Sequence, residues 1–151
     1  MQTQASIVIT SNKEKVWQAI KDIENYQSMI SAIMKINILN KPEEGLVGLK
    51  WEESREMFGK EAMETMWVTE AVENEYYCTR AENHGAVYLT RLSLQSQGDA
   101  TKLTTTFTGE AETMVAKILS LLMGVFIKGS LKRALLKDLE DIKARVEKTN
   151  E

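Results

Sequence analysis

Glu53, Arg55 and Glu64 are the residues of this chain whose types and spacing best suit chemistry. Glu53 and Arg55 stand two apart in Trp51-Glu-Glu-Ser-Arg-Glu-Met57, so a strand points both to one face. A turn at Gly59-Lys60 folds the next segment back. In that register Phe58 faces Glu61, Met57 faces Ala62, Arg55 faces Glu64, Glu53 faces Met66 and Trp51 faces Val68. One face of the hairpin then carries Leu49, Trp51, Glu53, Arg55 and Met57 with Ala62, Glu64, Met66 and Val68. It is the more apolar face, so it is expected to line a cavity and to take its charges inside. Buried charges persist only when paired, and an Arg flanked by two Glu supplies the pairing. Such a group either anchors the polar end of a ligand in an apolar pocket or forms a structural ion-pair ladder, worth little where water reaches it.

The remaining candidates carry less. His84, in Asn83-His84-Gly85, is either a general base at a cavity mouth or an exposed loop imidazole, and no nucleophile motif stands beside it. Cys78, between Tyr77 and Thr79, lacks the electropositive setting of a reactive thiolate and reads as a small buried filler. One cysteine and one histidine exclude an internal disulfide framework and multi-Cys or multi-His metal centres. No catalytic set, metal or cofactor is expected.

The elements that must position these groups follow from period and punctuation. Gln2 to Thr10 alternates as a strand and ends at Ser11-Asn-Lys-Glu14, a capping box that opens a helix carrying Val16, Trp17 and Ile20. Asp22 reads as a second N-cap, starting a short helix through Tyr26 and Met29. Met34, Ile36 and Ile38 then alternate with Lys35 and Asn37. Strands are predicted over Val47–Phe58, Glu61–Ala71, Tyr76–Glu82, Ala86–Gln95 and Thr101–Ala111, with Gly98-Asp99 a hairpin turn. From about Glu112 to Lys148 the chain is helical, with Leu131, Leu135, Leu139, Ile142 and Val146 stepping along one face. Its front half, Val115 to Phe126, is apolar nearly all round, and Gly124 and Gly129 are natural bend points. A long helix is the one element large enough to cover the apolar face of such a sheet. Strand 1 is expected to close the sheet beside the last strand.

With 151 residues, 43% of them hydrophobic and 27% charged, the chain suits one globular domain over 1–151. A net charge of −3 argues against nucleic acid, which asks for a clustered basic face. The longest apolar run, Ile118 to Ile127, is too short to span a bilayer, so no stable membrane insertion is expected. Met1-Gln-Thr-Gln-Ala-Ser6 lacks a charged leader followed by an apolar stretch, and a cytoplasmic protein is the expectation. The oligomeric state is left open.

Several segments together carry a family resemblance. They are Ile7-Val-Ile-Thr-Ser-Asn-Lys-Glu-Lys-Val-Trp17, Asp22-Ile-Glu-Asn-Tyr26, Gly48 to Lys60, Gly98-Asp-Ala-Thr-Lys-Leu103 and Gly129 to Leu139. In order and spacing the chain resembles the START/Bet v 1-like superfamily and, within it, the polyketide cyclase/dehydrase-like (SRPBCC) group. The resemblance implies an α+β helix-grip fold: a curved seven-stranded antiparallel sheet around a long C-terminal helix, with two short helices after strand 1 and a hydrophobic cavity between. In that fold the front of the long helix lies against the cavity. The expected lining is Trp51, Glu53, Arg55, Met57, Glu64, Met66, Leu103, Phe107, Ile118, Leu122 and Phe126. The implied function is binding, transport or sensing of a small hydrophobic ligand such as a lipid, sterol or polyketide. The alternatives are a cyclase or dehydrase using Glu53, Glu64, Arg55 or a tyrosine, and a partner-binding module. No histidine or acid motif here matches a catalytic cyclase set.

Overall fold

Turn residues set the strand pairing through the middle of the chain. Gly59 and Gly98 take φ of +77° and +60°, which a Cβ opposes and glycine adopts freely, and each closes a tight hairpin. The computed structural model describes the backbone of residues 1–57, 59–83, 85–111 and 114–149, and the side chains of these except 111–128. Strand β1 (Gln2–Ile9) leads to helix α1 (Lys13–Lys21), a 3-10 turn (Ile23–Asn25) and the short helix α2 (Tyr26–Met29). Six strands follow: β2 (Ile33–Asn40), β3 (Lys50–Met57), β4 (Lys60–Val72), β5 (Tyr76–Asn83), β6 (Ala86–Gln97) and β7 (Ala100–Ala111). Helix α3 (Met114–Lys148) completes the chain.

All seven strands form one antiparallel sheet in the order β1-β7-β6-β5-β4-β3-β2, so the first strand closes against the last. Helix α3 has 35 residues, roughly 50 Å at ~1.5 Å per residue, and runs without interruption through both glycines expected to be bend points. Ile9, Val16, Ile20, Ile23, Trp51, Val68, Leu103, Leu139 and Ile142 form the core between α1, α3 and the inner sheet face. Trp17 and Tyr77 meet edge to face there, with ring centroids 6.2 Å apart. Val8, Met34 and Met63 are exposed, as alternation along a one-sided sheet requires.

Four local expectations are corrected. The β3–β4 hairpin closes one step earlier: Met57 pairs with Lys60, Glu56 with Glu61, Arg55 with Ala62, Glu53 with Glu64 and Trp51 with Met66. The expected pairing of Phe58 falls outside the described residues. A two-residue slip preserves the faces, because side chains alternate with period two, but it exchanges cross-strand neighbours. Second, Asn12 caps α1, its Oδ1 accepting from the Lys15 amide at 2.9 Å, while Ser11 is buried and its carbonyl accepts from Thr101 Oγ1 at 2.8 Å. Third, the Asp22 carboxylate accepts from the Asn25 side-chain amide and caps no backbone amide. Fourth, β3 begins at Lys50, because Gly45 and Gly48 hold the preceding loop in positive-φ turns.

Candidate functional site

Alternation aims one residue in two of β3 to β7 at the space beneath α3. Trp51, Glu53, Arg55 and Met57 come from β3, Glu64 and Met66 from β4, and Tyr77 and Thr79 from β5. Thr90 and Leu92 of β6 and Thr105 and Phe107 of β7 complete the sheet wall. Leu131, Leu135, Asp138, Leu139 and Ile142 descend from α3, and Tyr26 and Ile30 close one end. Together they line a partly open cavity of about 150 Å³, with mostly apolar walls.

One charged group interrupts those walls. Arg55 Nε donates to Glu53 Oε2 at 2.9 Å, and its Nη2 donates to Asp138 Oδ2 at 3.0 Å. Trp51 Nε1 donates to Glu53 Oε1 at 3.4 Å. The Arg55 and Asp138 side chains are only 18% and 17% exposed, so a strand and the covering helix are joined by an ion pair largely out of water. Burial raises the Asp138 carboxyl above its ordinary range, against the attraction of Arg55. Asp138 Oδ1 is buried without a hydrogen bond among the described residues.

Glu64 stands apart from this pairing. Its cross-strand neighbour is Glu53, not Arg55. Burial, reinforced by Glu53, raises its carboxyl, and Arg55 opposes the rise. A carboxylate whose folded pKa lies above its unfolded value near 4.3 weakens the fold as pH climbs past that value. Glu64→Gln removes the penalty. The variant is therefore expected to be more stable than the parent at pH 7 and to lose that advantage near pH 4, as urea titrations at both pH values would show. A loss of stability at pH 7 would contradict the placement.

Two buried phenols lie next to the charged group. Tyr26 Oη donates to the Ile20 carbonyl, which leaves Tyr77 Oη to donate to Tyr26 Oη. Burial raises both phenols well above the ordinary value of 10. They stay neutral in the fold, so their contribution is intact below pH 10 and lost as pH rises beyond it. Ultraviolet titration should show the Tyr26 and Tyr77 phenolate signals appearing only with unfolding. Tyr26→Phe, which orphans the Ile20 carbonyl, is expected to cost about 1–3 kcal/mol.

Most of the expected site residues meet at this cavity. Trp51, Glu53, Arg55, Met57, Glu64, Met66 and Phe107 line it. Leu103 does not: it is 0% exposed and packs in the core between Ile7 and Leu94, beyond the cavity floor. The side chains of Ile118, Leu122 and Phe126, like His84, lie outside the described residues. Leu135 and Leu139, from the helical stripe read in the sequence, also line the cavity. Asp138, Tyr26 and Tyr77 were not anticipated. Asp138 left a signal, an acid three residues after Leu135 and four before Ile142, on the apolar stripe itself. Cys78 is half-buried, and burial pushes its thiol up, away from nucleophile chemistry.

A second concavity of about 740 Å³ is an open groove between α1, the 3-10 turn and the β2–β3 loop. Lys41 bridges it to Glu24 at 2.7 Å, an exposed pair of little energetic weight. Among the described residues, no helix is long and apolar enough to cross a membrane.

The fold has clear counterparts. A protein of Thermus thermophilus superposes with a TM-score of 0.82 over 100% of both chains at 16% identity. A START superfamily protein from Mycobacterium smegmatis gives 0.79 over 98% of each chain at 18% identity. The Zhui aromatase/cyclase from Streptomyces sp. R1128 gives 0.77 at 11% identity, covering 100% of this chain and 96% of that one. Among curated proteins no sequence match was found. The family model described as "Polyketide cyclase / dehydrase and lipid transport" matches residues 1–147, and the chain belongs to that family.

Proposed function

We propose that this protein binds a small, largely apolar ligand in the cavity beneath α3, with Glu53, Arg55 and Asp138 fixing the ligand's polar end. The observation that carries the reading is an apolar-walled cavity whose charged group is held on one wall, between strand and helix. Small-molecule sites commonly combine hydrophobic walls with a few fixed polar groups. A volume of about 150 Å³ suits a single ring or a short chain, since a comparable apolar void accepts a benzene-sized guest. The family description and the START-type neighbour support a carrier or sensor. Native mass spectrometry of the purified protein, followed by extraction and a panel of alkylphenols, benzylamines, indole and short-chain alcohols, tests it. A retained or added small molecule is expected. A bare mass with every member of the panel would overturn the proposal.

A second reading, a cyclase or dehydrase, draws on Glu64. Its raised carboxyl faces the cavity without a hydrogen bond among the described residues, as a general acid or base would require. The aromatase/cyclase neighbour is consistent with this. Turnover of a poly-β-ketone that vanishes in Glu64→Gln while binding persists would favour catalysis over carriage.

A further inference from the structure

The charged wall holds more acceptors than donors. Glu53 has both oxygens engaged and Asp138 one, while Asp138 Oδ1 and the Glu64 carboxyl receive no hydrogen bond from any described residue. Against three acids, the described lining contributes a single cation, Arg55, and its two carboxylate partners already claim its Nε and Nη2. Asp138 Oδ1 is shut off from the cavity, so the half-buried Glu64 carboxyl is the acceptor a guest meets. A guest that covers it without donating a hydrogen bond leaves it unpaired, at a cost of about 1–3 kcal/mol. A guest bearing a carboxylate or phosphate instead adds a like charge to a water-poor wall. Resting on the cavity-binding reading, we propose that the site selects ligands that donate a hydrogen bond, a hydroxyl or an ammonium group on a small apolar body, and discriminates against anionic ones.

The Tyr77–Tyr26–Ile20 relay strengthens the assignment. Tyr77 spends its proton on Tyr26 and Tyr26 spends its own on the Ile20 carbonyl, so neither phenol is free to donate to a guest. The hydroxyl groups of Thr79, Thr90 and Thr105 are small and set across the sheet floor, and can serve either role. The wall's net preference is therefore fixed by the acids.

Four one-ring probes of matched size separate the possibilities by NMR titration at pH 7: 4-ethylphenol, 4-ethylbenzylamine, 4-ethylanisole and 4-ethylbenzoate. At least one of the two donors should bind ten-fold or more tighter than the anisole, which only accepts, and the benzoate should bind weakest. In Glu64→Gln the benzoate penalty should narrow several-fold, with thermal melts confirming the fold. The same variant should shrink the donor preference, since Glu64 is the acceptor that a guest reaches. Benzoate binding as tightly as the phenol, or anisole equal to both donors, overturns the selectivity while leaving the cavity as a binding site. Failure of all four probes overturns the selectivity and the cavity reading together.

Discussion

Arg55→Met is expected to cost the fold about 3–5 kcal/mol at neutral pH, because it strips the cation from two carboxylates that water barely reaches. Glu53 keeps only its long bond from Trp51, and Asp138 keeps none among the described residues. Methionine preserves most of the packing, so the loss reports on charge. Burial already raises the Asp138 carboxyl, and Arg55 is what restrains the rise; without it the carboxyl moves further up. A group whose folded pKa exceeds its unfolded value carries no penalty below the unfolded value and destabilises increasingly as pH climbs through the folded one. The variant's deficit should therefore be largest at pH 7.5 and shrink towards pH 4. Adding Asp138→Asn should recover part of the loss, the non-additivity that only contacting groups show. The measurement is a double-mutant cycle by urea unfolding at the two pH values. Additive, pH-independent effects would mean that the pair does not meet in the fold.

The partner exchange at Arg55 shows where sequence reasoning runs out. Alternation in Trp51 to Met57 and in Ala62 to Val68 assigns each residue to a face, and those faces survive in the structure because the register error was an even number. What alternation does not supply is the identity of the residue opposite. The difference between a turn at Gly59-Lys60 and one that closes at Lys60 replaced Arg55 by Glu53 as the neighbour of Glu64. Asp138 lies 83 residues from Arg55, and no local period links a strand position to a helix position so distant. It was legible only as a charge on an otherwise apolar stripe. Asn12 illustrates a shorter-range limit: Ser11 and Asn12 both qualify as N-caps, and the choice falls to Asn12 because strand β7 claims the Ser11 carbonyl through Thr101. The long helix, the strand order and the cavity's sheet wall depended on repeated patterns, which tolerate a local slip.

Leu103→Ala should destabilise the protein about as much as the loss of Arg55, by about 3–5 kcal/mol, yet leave ligand selectivity unchanged. The side chain is completely buried, opposite Ile7 on one side and Leu94 on the other, with the buried Thr101 and Thr105 flanking it on its own strand. Sheet neighbours on both sides restrict collapse around the vacated space, which places the cost in the upper part of the range for large-to-small changes. For a domain of this size each kcal/mol moves the melting temperature by roughly 2–4 °C, so a fall of about 10 °C is expected. Phe107, four residues along the same strand face, is the contrasting case. It lines the cavity, is only partly buried and stacks on Tyr88 with ring centroids 5.7 Å apart. Phe107→Ala should cost less stability than Leu103→Ala and weaken 4-ethylphenol binding more, because it removes a wall of the cavity and leaves the core floor intact. Thermal melts and probe titrations on the two variants measure both quantities. If Leu103→Ala weakened the probe as much as Phe107→Ala, the cavity would extend to the core position that alternation along β7 suggests, and its floor would not lie between Thr105 and Leu103.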